Sequence, residues 1–297
     1  MDNIIKNTTI TLQALDKNGQ LHCKNGPAHV RHYTNGNLAE EIWVNHGIIH
    51  RINGPARIGY YSDGKPAYEY YMQNGKYHRK DGPSCKKYYS DGQLNKEYWH
   101  INGECHRDNE PAIIWYYPCG SVRRYVWMLN GNAHREGYPA EIWFYEKGHL
   151  KILRWCRHGK LYRENNLPAY VSYHANGKIS EKTYINKSLM CRHTLFDENE
   201  EVYHDLVIIN RNLSLIHKYK NSILLEKYYM QNYGNGSVLG PIKQTFYPNG
   251  QIRNEWHYNK KGQLHNTSGP AKISYRKDGL VGKAEYYING RQFIKIT

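Results

Sequence analysis

The chain has 297 residues and a formal charge of +15, from 41 Lys and Arg against 26 Asp and Glu. A charge of that size keeps a chain soluble and draws it towards polyanions, without naming one. Mean hydropathy is −0.85. No stretch approaches the ~18 apolar residues of a membrane span, and Met1-Asp2-Asn3-Ile4-Ile5-Lys6 opens no apolar run of signal-peptide length.

Internal repetition organises everything that follows. The glycine of an Asn-Gly-like pair stands at Gly19, Gly47, Gly75, Gly103, Gly131 and Gly159, each step 28 residues, and Gly234, Gly262 and Gly290 resume the step. With that glycine as phase 0, His stands at phase 3 (His22, His50, His78, His106, His134, His265) and Arg at phase 4 (Arg51, Arg79, Arg107, Arg135, Arg163). Pro follows at phase 8, a second Gly at phase 17, and an aromatic closes the unit at phase 24 (Trp43, Tyr71, Trp99, Trp127, Trp155, Tyr286).

In chain order, residues 1–17 form a cap: Ile10, Leu12 and Leu15 fit the second strand of an absent leading unit. Residues 18–186 hold six regular units, the sixth shifted by one residue inserted before Pro168. Residues 187–233 are a degenerate or inserted region with the acidic cluster Asp197, Glu198, Glu200, Glu201 and Asp205. Residues 234–297 give two further units and a closing strand through Phe293, Ile294 and Ile296.

Within a unit, Asp63-Gly64, Asp91-Gly92, Asn176-Gly177 and Asn249-Gly250 lie between aromatic-rich runs of strand length, a hairpin signal. Gly-Pro at phases 7 and 8 starts the first strand, where proline has no ladder bond to donate. Phases 9, 11 and 13 place a small residue, a branched aliphatic and an aromatic on one face, as in Ala112, Ile114 and Tyr116. Period-two alternation of this kind predicts a half-buried strand. The opposite phases are mixed. A second strand over phases 18–25, as in Gln93 to His100, puts its apolar residues on opposite faces and predicts a bulge or two-sided burial. Glu41, Glu69 and Glu97 at phase 22 are expected to pair with a turn-proximal Lys or Arg. With 29 Tyr and 7 Trp but 4 Phe, the core should be aromatic and thin. One hairpin cannot bury its own apolar face, so neighbours must stack. The predicted fold is all-β: an elongated tandem-repeat array of stacked antiparallel β-hairpins on a 28-residue unit, with half-unit caps at both ends.

The unit N-G-x-x-H-R-x-x-G-P-A followed by Y-x-x-G-x-x-x-x-E-x-W resembles the MORN repeat family, and is similar to the MORN-like proteins of giant amoebal viruses. The resemblance covers about residues 18–186 and 234–290. MORN units are shorter and read His-Gly where this chain reads His-Arg. The resemblance implies stacked hairpins, scaffolding or dimerisation, and attachment to membranes or phosphoinositides. The expected location is cytoplasmic, from the unpatterned cysteines, and would be the host cytoplasm or the virion for a viral protein.

The candidate binding residues are the ladder His50, Arg51, His78, Arg79, His106, Arg107, His134, Arg135 and Arg163, with Trp115 and Trp143 on the mixed face. Arg forms charge-assisted bidentate contacts, so the ladder suits a phosphate-bearing polymer. The alternative is structural: His packs on the next unit's turn and Arg caps a carbonyl. Exposed aromatics would stack bases, whereas fixed phase beside turn glycines argues for core. Histidines 28 residues apart, and cysteines (Cys23, Cys85, Cys105, Cys119, Cys156, Cys191) without CxxC spacing, give no metal or disulfide pattern. Reduced thiols are the simpler expectation. Catalysis needs one asymmetric constellation, and the place for one is Cys191, His193, His204 and Asp205. The expected function is therefore a non-enzymatic scaffold that binds a protein or a second copy, without cofactor or small-molecule substrate. Polyanion binding, to nucleic acid or an anionic membrane, is the alternative.

Overall fold

The computed structural model describes residues 8–186, 189–210, 213–233 and 236–293. Ile294 and Ile296 of the expected closing strand, Gly234 of the glycine series, and residues 1–7 of the expected cap lie outside them. The described residues are strands and turns, and no helix among them is long and apolar enough to cross a membrane. Two compact units divide the chain, residues 1–161 and 162–297, so the boundary falls inside the block 18–186.

The first unit is an antiparallel sheet of long hairpins. They are His29–Tyr33 with Leu38–Ile42, Arg57–Tyr60 with Pro66–Tyr70, Cys85–Tyr88 with Leu94–Tyr98, Ile113–Tyr116 with Val122–Val126, and Glu141–Phe144 with Leu150–Arg154. Each second strand pairs with the first strand of the next hairpin. The cap strand Thr8–Gln13 pairs with His29–Tyr33. A positive-φ glycine closes each of these hairpins, preceded by Asp at Gly64 and Gly92, and the Asp63 carboxylate accepts the Lys65 N–H at 3.1 Å. A register shift beside each turn absorbs the extra loop residue, between Gly59 and Tyr60 for example.

The expected second strand is corrected. It does not run to His100, and the irregularity expected between its apolar residues lies near its start, where the register shifts between the pairs Lys87–Lys96 and Tyr88–Leu94. It ends at Tyr98, Trp99 donates its N–H to the Ala112 carbonyl at 2.8 Å, and a small hairpin follows, His100–Ile101 with Glu104–Cys105. Equivalent small hairpins are Val44–Asn45 with Ile48–Ile49, Met72–Gln73 with Lys76–Tyr77, Met128–Leu129 with Asn132–Ala133, and Cys156–Arg157 with Lys160–Leu161. The Asn-Gly series forms their tips, where Asn74, Asn102 and Asn130 also adopt positive φ. Each tip is bonded to the preceding small hairpin, as by Gly103 N–H to Tyr77 O at 2.8 Å. The alanines at phase 9 (Ala56, Ala112, Ala140) are fully buried where the chain leaves and re-enters the sheet.

In the second unit, the described residues of the region 187–233, which the sequence marks as degenerate or inserted, are strands and tight turns. Leu189–Phe196, Val202–Asn210, Leu213–Lys220 and Ile223–Tyr233 form a plain antiparallel meander. Positive-φ turn residues Gly177, Glu200 and Ser222 fall about 23 and 22 residues apart. Among the described residues of this region no small hairpin with a His-Arg loop forms, and the turn spacing is correspondingly shorter than 28. Ile179–Asn186 and Gly236–Phe246 flank the meander as paired neighbours. Ile252–His257, Lys272–Tyr275 and Val281–Ile288 continue it, and Arg291–Phe293 pairs back on the last.

Candidate interaction surface

The His-Arg ladder is engaged within the protein. Each arginine lies flat on the aromatic that closes the preceding unit: Arg51 on Trp43, Arg79 on Tyr71, Arg107 on Trp99 and Arg135 on Trp127, at 3.8–4.1 Å from the ring centroid. Such stacking suits guanidinium. The same groups donate to the proline carbonyl four residues on, from Arg51 Nη1 to Pro55 O at 3.0 Å through Arg135 Nη1 to Pro139 O at 3.5 Å. Arg163 reaches Pro168 O at 3.1 Å across the inserted residue. The glycine before the proline leaves room for this clamp. Gly54 has φ +151°, and a Cβ there would stand 3.1 Å from Arg51 Cζ.

The histidines bind backbone. His50 Nδ1 accepts the Asn74 N–H at 3.1 Å, His78 that of Asn102 at 3.2 Å and His134 that of His158 at 3.3 Å, each satisfying a positive-φ residue at the next small-hairpin tip. His106 instead contacts Asp108 through Nε2 at 3.0 Å. A groove of about 440 Å³ runs between the loops of His106, Arg107, His134 and Arg135. Its lining is partly acidic: Asp108 lies 3.0 Å from His106, and Glu136 3.9 Å from His134. The glutamates at phase 22 are also corrected. Glu41 and Glu97 accept the tyrosine hydroxyl at phase 13 of the following unit, Tyr60 at 3.1 Å and Tyr116 at 2.8 Å. Glu69 forms an ion pair with Lys86 at 3.8 Å, a cross-strand residue rather than a turn residue.

Trp115 and Trp143 come together on the other face of the sheet, with ring centroids 5.7 Å apart and edge-on. They belong to a cross-strand row through phases 12 and 21: Arg31, Glu40, Gly59, Tyr68, Lys87, Lys96, Trp115, Arg124, Trp143 and Ile152. A second row, through phases 10 and 23, runs beside it from His29 to Arg154. Successive positions lie roughly 4.8 Å apart, the strand spacing. Arg124 sits between the two tryptophans, at 4.7 and 4.4 Å, and Lys96 covers Trp115 at 4.3 Å.

Charge on this face follows one rule. Glu40, buried, is held by Arg31, by Arg57 at 2.6 Å and by the Tyr68 hydroxyl. Tyr68 reaches it across Gly59, where any Cβ would collide with the ring at 2.2 Å. Burial pushes the Glu40 carboxyl upward, but Tyr68, Arg57 and Arg31 outweigh it and leave the pKa below the usual value. Glu141 lies between Arg124 at 2.9 Å and Arg154 at 3.8 Å. In the second unit Glu226 lies between Lys218 and Lys243, and Glu285 between Lys272 and Lys283. Lys87 and Lys96 break the rule. They are direct cross-strand partners, and neither forms an ion pair among the described residues. Burial first, then the charges of Lys87, Arg123 and Arg124, lowers the Lys96 pKa.

Of the residues named for catalysis, Asp205 faces away from His193 and His204. Asp205 is buried against Arg192, at 2.9 and 3.2 Å, and the Thr194 hydroxyl at 2.8 Å. His193 and His204 belong to rows on the opposite face, and His193 is bonded to Glu181 at 2.8 Å. All six cysteines are free thiols, and burial raises those of Cys105 and Cys156 to about 11. No group of three metal-ligating side chains forms among the described residues.

The residues that the sequence reading missed are Tyr68, Lys87, Lys96 and Arg124. It sought residues that recur, and these occupy the phases that do not. Non-recurrence on one face was itself the available signal.

No known protein family and no curated protein matches the sequence. Among solved structures, a mutant of TarM from S. aureus, solved with Fondaparinux, alpha-GlcNAc-glycerol and UDP, aligns at 16% identity over 38% of this chain and 21% of that one. The TM-score of 0.27 carries no inference about fold or function.

Proposed function

We propose that this protein is a non-enzymatic repeat scaffold that binds a protein partner, or a second copy of itself, on the sheet face formed by phases 10, 12, 21 and 23. One observation carries the reading: the residues that recur in every unit are spent on holding the units together, while the opposite face changes from unit to unit. Solenoid proteins bind on such extended surfaces, and half-buried aromatics interleaved with arginine suit protein contacts. The MORN resemblance supports the same role, since units without the small hairpin, as in residues 189–233, are shorter like those of that family. Polyanion binding through the His-Arg ladder is the second reading. The +15 charge favours it, and the internal contacts of Arg51, Arg79, Arg107 and Arg135 count against it.

Site-specific photo-crosslinking tests the proposal. A benzophenone side chain placed at Trp115 or Trp143 is expected to capture one and the same partner, and at Lys86 or Tyr125, on the repeated face, to capture none. Capture from the repeated face alone, or from neither, overturns it. Binding to oligonucleotides or anionic liposomes that collapses between about 50 and 200 mM salt would instead install the polyanion reading.

A further inference from the structure

We infer that Lys87 and Lys96 form a receptor for a carboxylate side chain presented by an acidic segment of a partner protein. The inference rests on the scaffold reading above and names the chemistry that its surface takes. Every other lysine and arginine in the two rows of the first unit holds a carboxylate, Glu40 or Glu141, each shared by two cations, and within the second unit Glu226 and Glu285 are likewise each shared by two lysines. At Lys87 and Lys96 the two cations are present and the carboxylate is missing. Directly opposed residues on adjacent strands have Cβ atoms roughly 5 Å apart, and like charges there are unfavourable. A locally unfavourable pair on an otherwise matched face is the mark of a site built for something other than stability.

The surroundings repeat those of the filled sites. Glu40 has the Tyr68 ring beside its two arginines, and Glu141 has the Trp143 indole N–H at 3.2 Å. Around the empty pair stand Tyr68, the cross-strand neighbour of Lys87, and Trp115, the cross-strand neighbour of Lys96. The Trp115 ring already holds the Lys96 ammonium at 4.3 Å, so one cation is positioned before any ligand arrives. The protein's own answer to paired cations on this face is a carboxylate. That precedent favours an acidic side chain over a phosphate polymer, which would need a longer unneutralised track than two lysines.

The test is a fluorescence-anisotropy titration with a labelled octaglutamate peptide, in parallel with an eight-nucleotide oligothymidylate, at about 50 mM salt. It uses the full-length wild type, Lys87→Gln with Lys96→Gln, and Lys87→Glu. Wild type is expected to bind octaglutamate, and both variants to bind it at least ~10-fold more weakly, as when one partner of a close charge pair is removed. Lys87→Glu also installs a carboxylate opposite Lys96 and leaves the Trp115 contact in place. Its Tm should rise by about 1–3 °C, converting a cross-strand pair by the usual entropy of unfolding. That readout separates lost binding from lost folding. Wild type that ignores octaglutamate, variants that bind it within twofold of wild type, or a lower Tm for Lys87→Glu each overturn the inference. Tighter binding of the oligothymidylate that Lys87→Glu abolishes overturns it in favour of phosphate. Self-association of wild type that Lys87→Glu abolishes overturns it in favour of a second copy. Cross-linking from Trp143 leaves Lys87, Lys96 and Trp115 untouched, so a failed titration and a failed scaffold reading are told apart.

Discussion

Glu40 shows how one side chain can be both costly and required. Its carboxylate is 1% exposed, and burial alone would favour the neutral acid. Tyr68, Arg57 and Arg31 supply hydrogen-bond donors that hold it ionised. Its pKa is therefore lower in the folded chain than in the unfolded chain. A depressed carboxylate contributes stability that is present above the unfolded pKa of about 4.3 and lost as pH falls through the folded value. Glu40→Gln should remove that acid-limb slope. At pH 7 it should also cost roughly 2 kcal/mol, because two half-buried guanidinium groups lose their counter-charge. Urea unfolding of both proteins between pH 3 and 7 measures the difference, and parallel curves would show that Glu40 has no ionisation linkage. Nothing in the repeat pattern marks this group. Glu40 stands beside Glu41, and only the second recurs in register at Glu69 and Glu97.

At the scale of the element, the long hairpins were readable because their turns need Gly at positive φ and their strands alternate. The small hairpins were not. A two-residue strand leaves no periodic signal, so phases 18–25 looked continuous and the Asn-Gly glycines looked like the repeat's main punctuation. The bend at Trp99 follows from contacts far along the chain, its N–H going to Ala112 and its ring to Arg107. Phase 14 carries another such contact. Tyr33, Tyr61, Tyr89 and Tyr117 each donate a hydroxyl to the carbonyl at phase 13 of the next unit, at 2.6–2.9 Å. These bonds join hairpin to hairpin rather than strand to strand. Tyr89→Phe keeps the ring and strands the Tyr116 carbonyl, so it should cost about 1 kcal/mol. A lower urea midpoint with an unchanged slope is the expected signature. A changed slope would mean that the bond shapes the unfolded or native ensemble instead.

For the molecule as a whole, stability should be distributed along the chain, since each hairpin touches mainly its neighbours. The two compact units are also built differently. Residues 1–161 combine small hairpins with arginines clamped between an aromatic ring and a proline carbonyl, whereas no such pairing of small hairpin and clamp forms among the described residues of 189–233. Array logic therefore predicts two unfolding transitions rather than one. The tryptophans make this measurable. Trp43, Trp99, Trp115, Trp127, Trp143 and Trp155 lie in the first unit, and Trp256 alone lies in the second. Tryptophan fluorescence thus reports the first unit almost exclusively, while far-UV circular dichroism reports strands in both. The two urea midpoints should differ in wild type. Tyr89→Phe, whose bond lies within the first unit, should move the fluorescence midpoint further than the dichroism midpoint. Midpoints that coincide and shift together would mean that cooperativity spans the chain, and the division into units would then be geometric without being energetic.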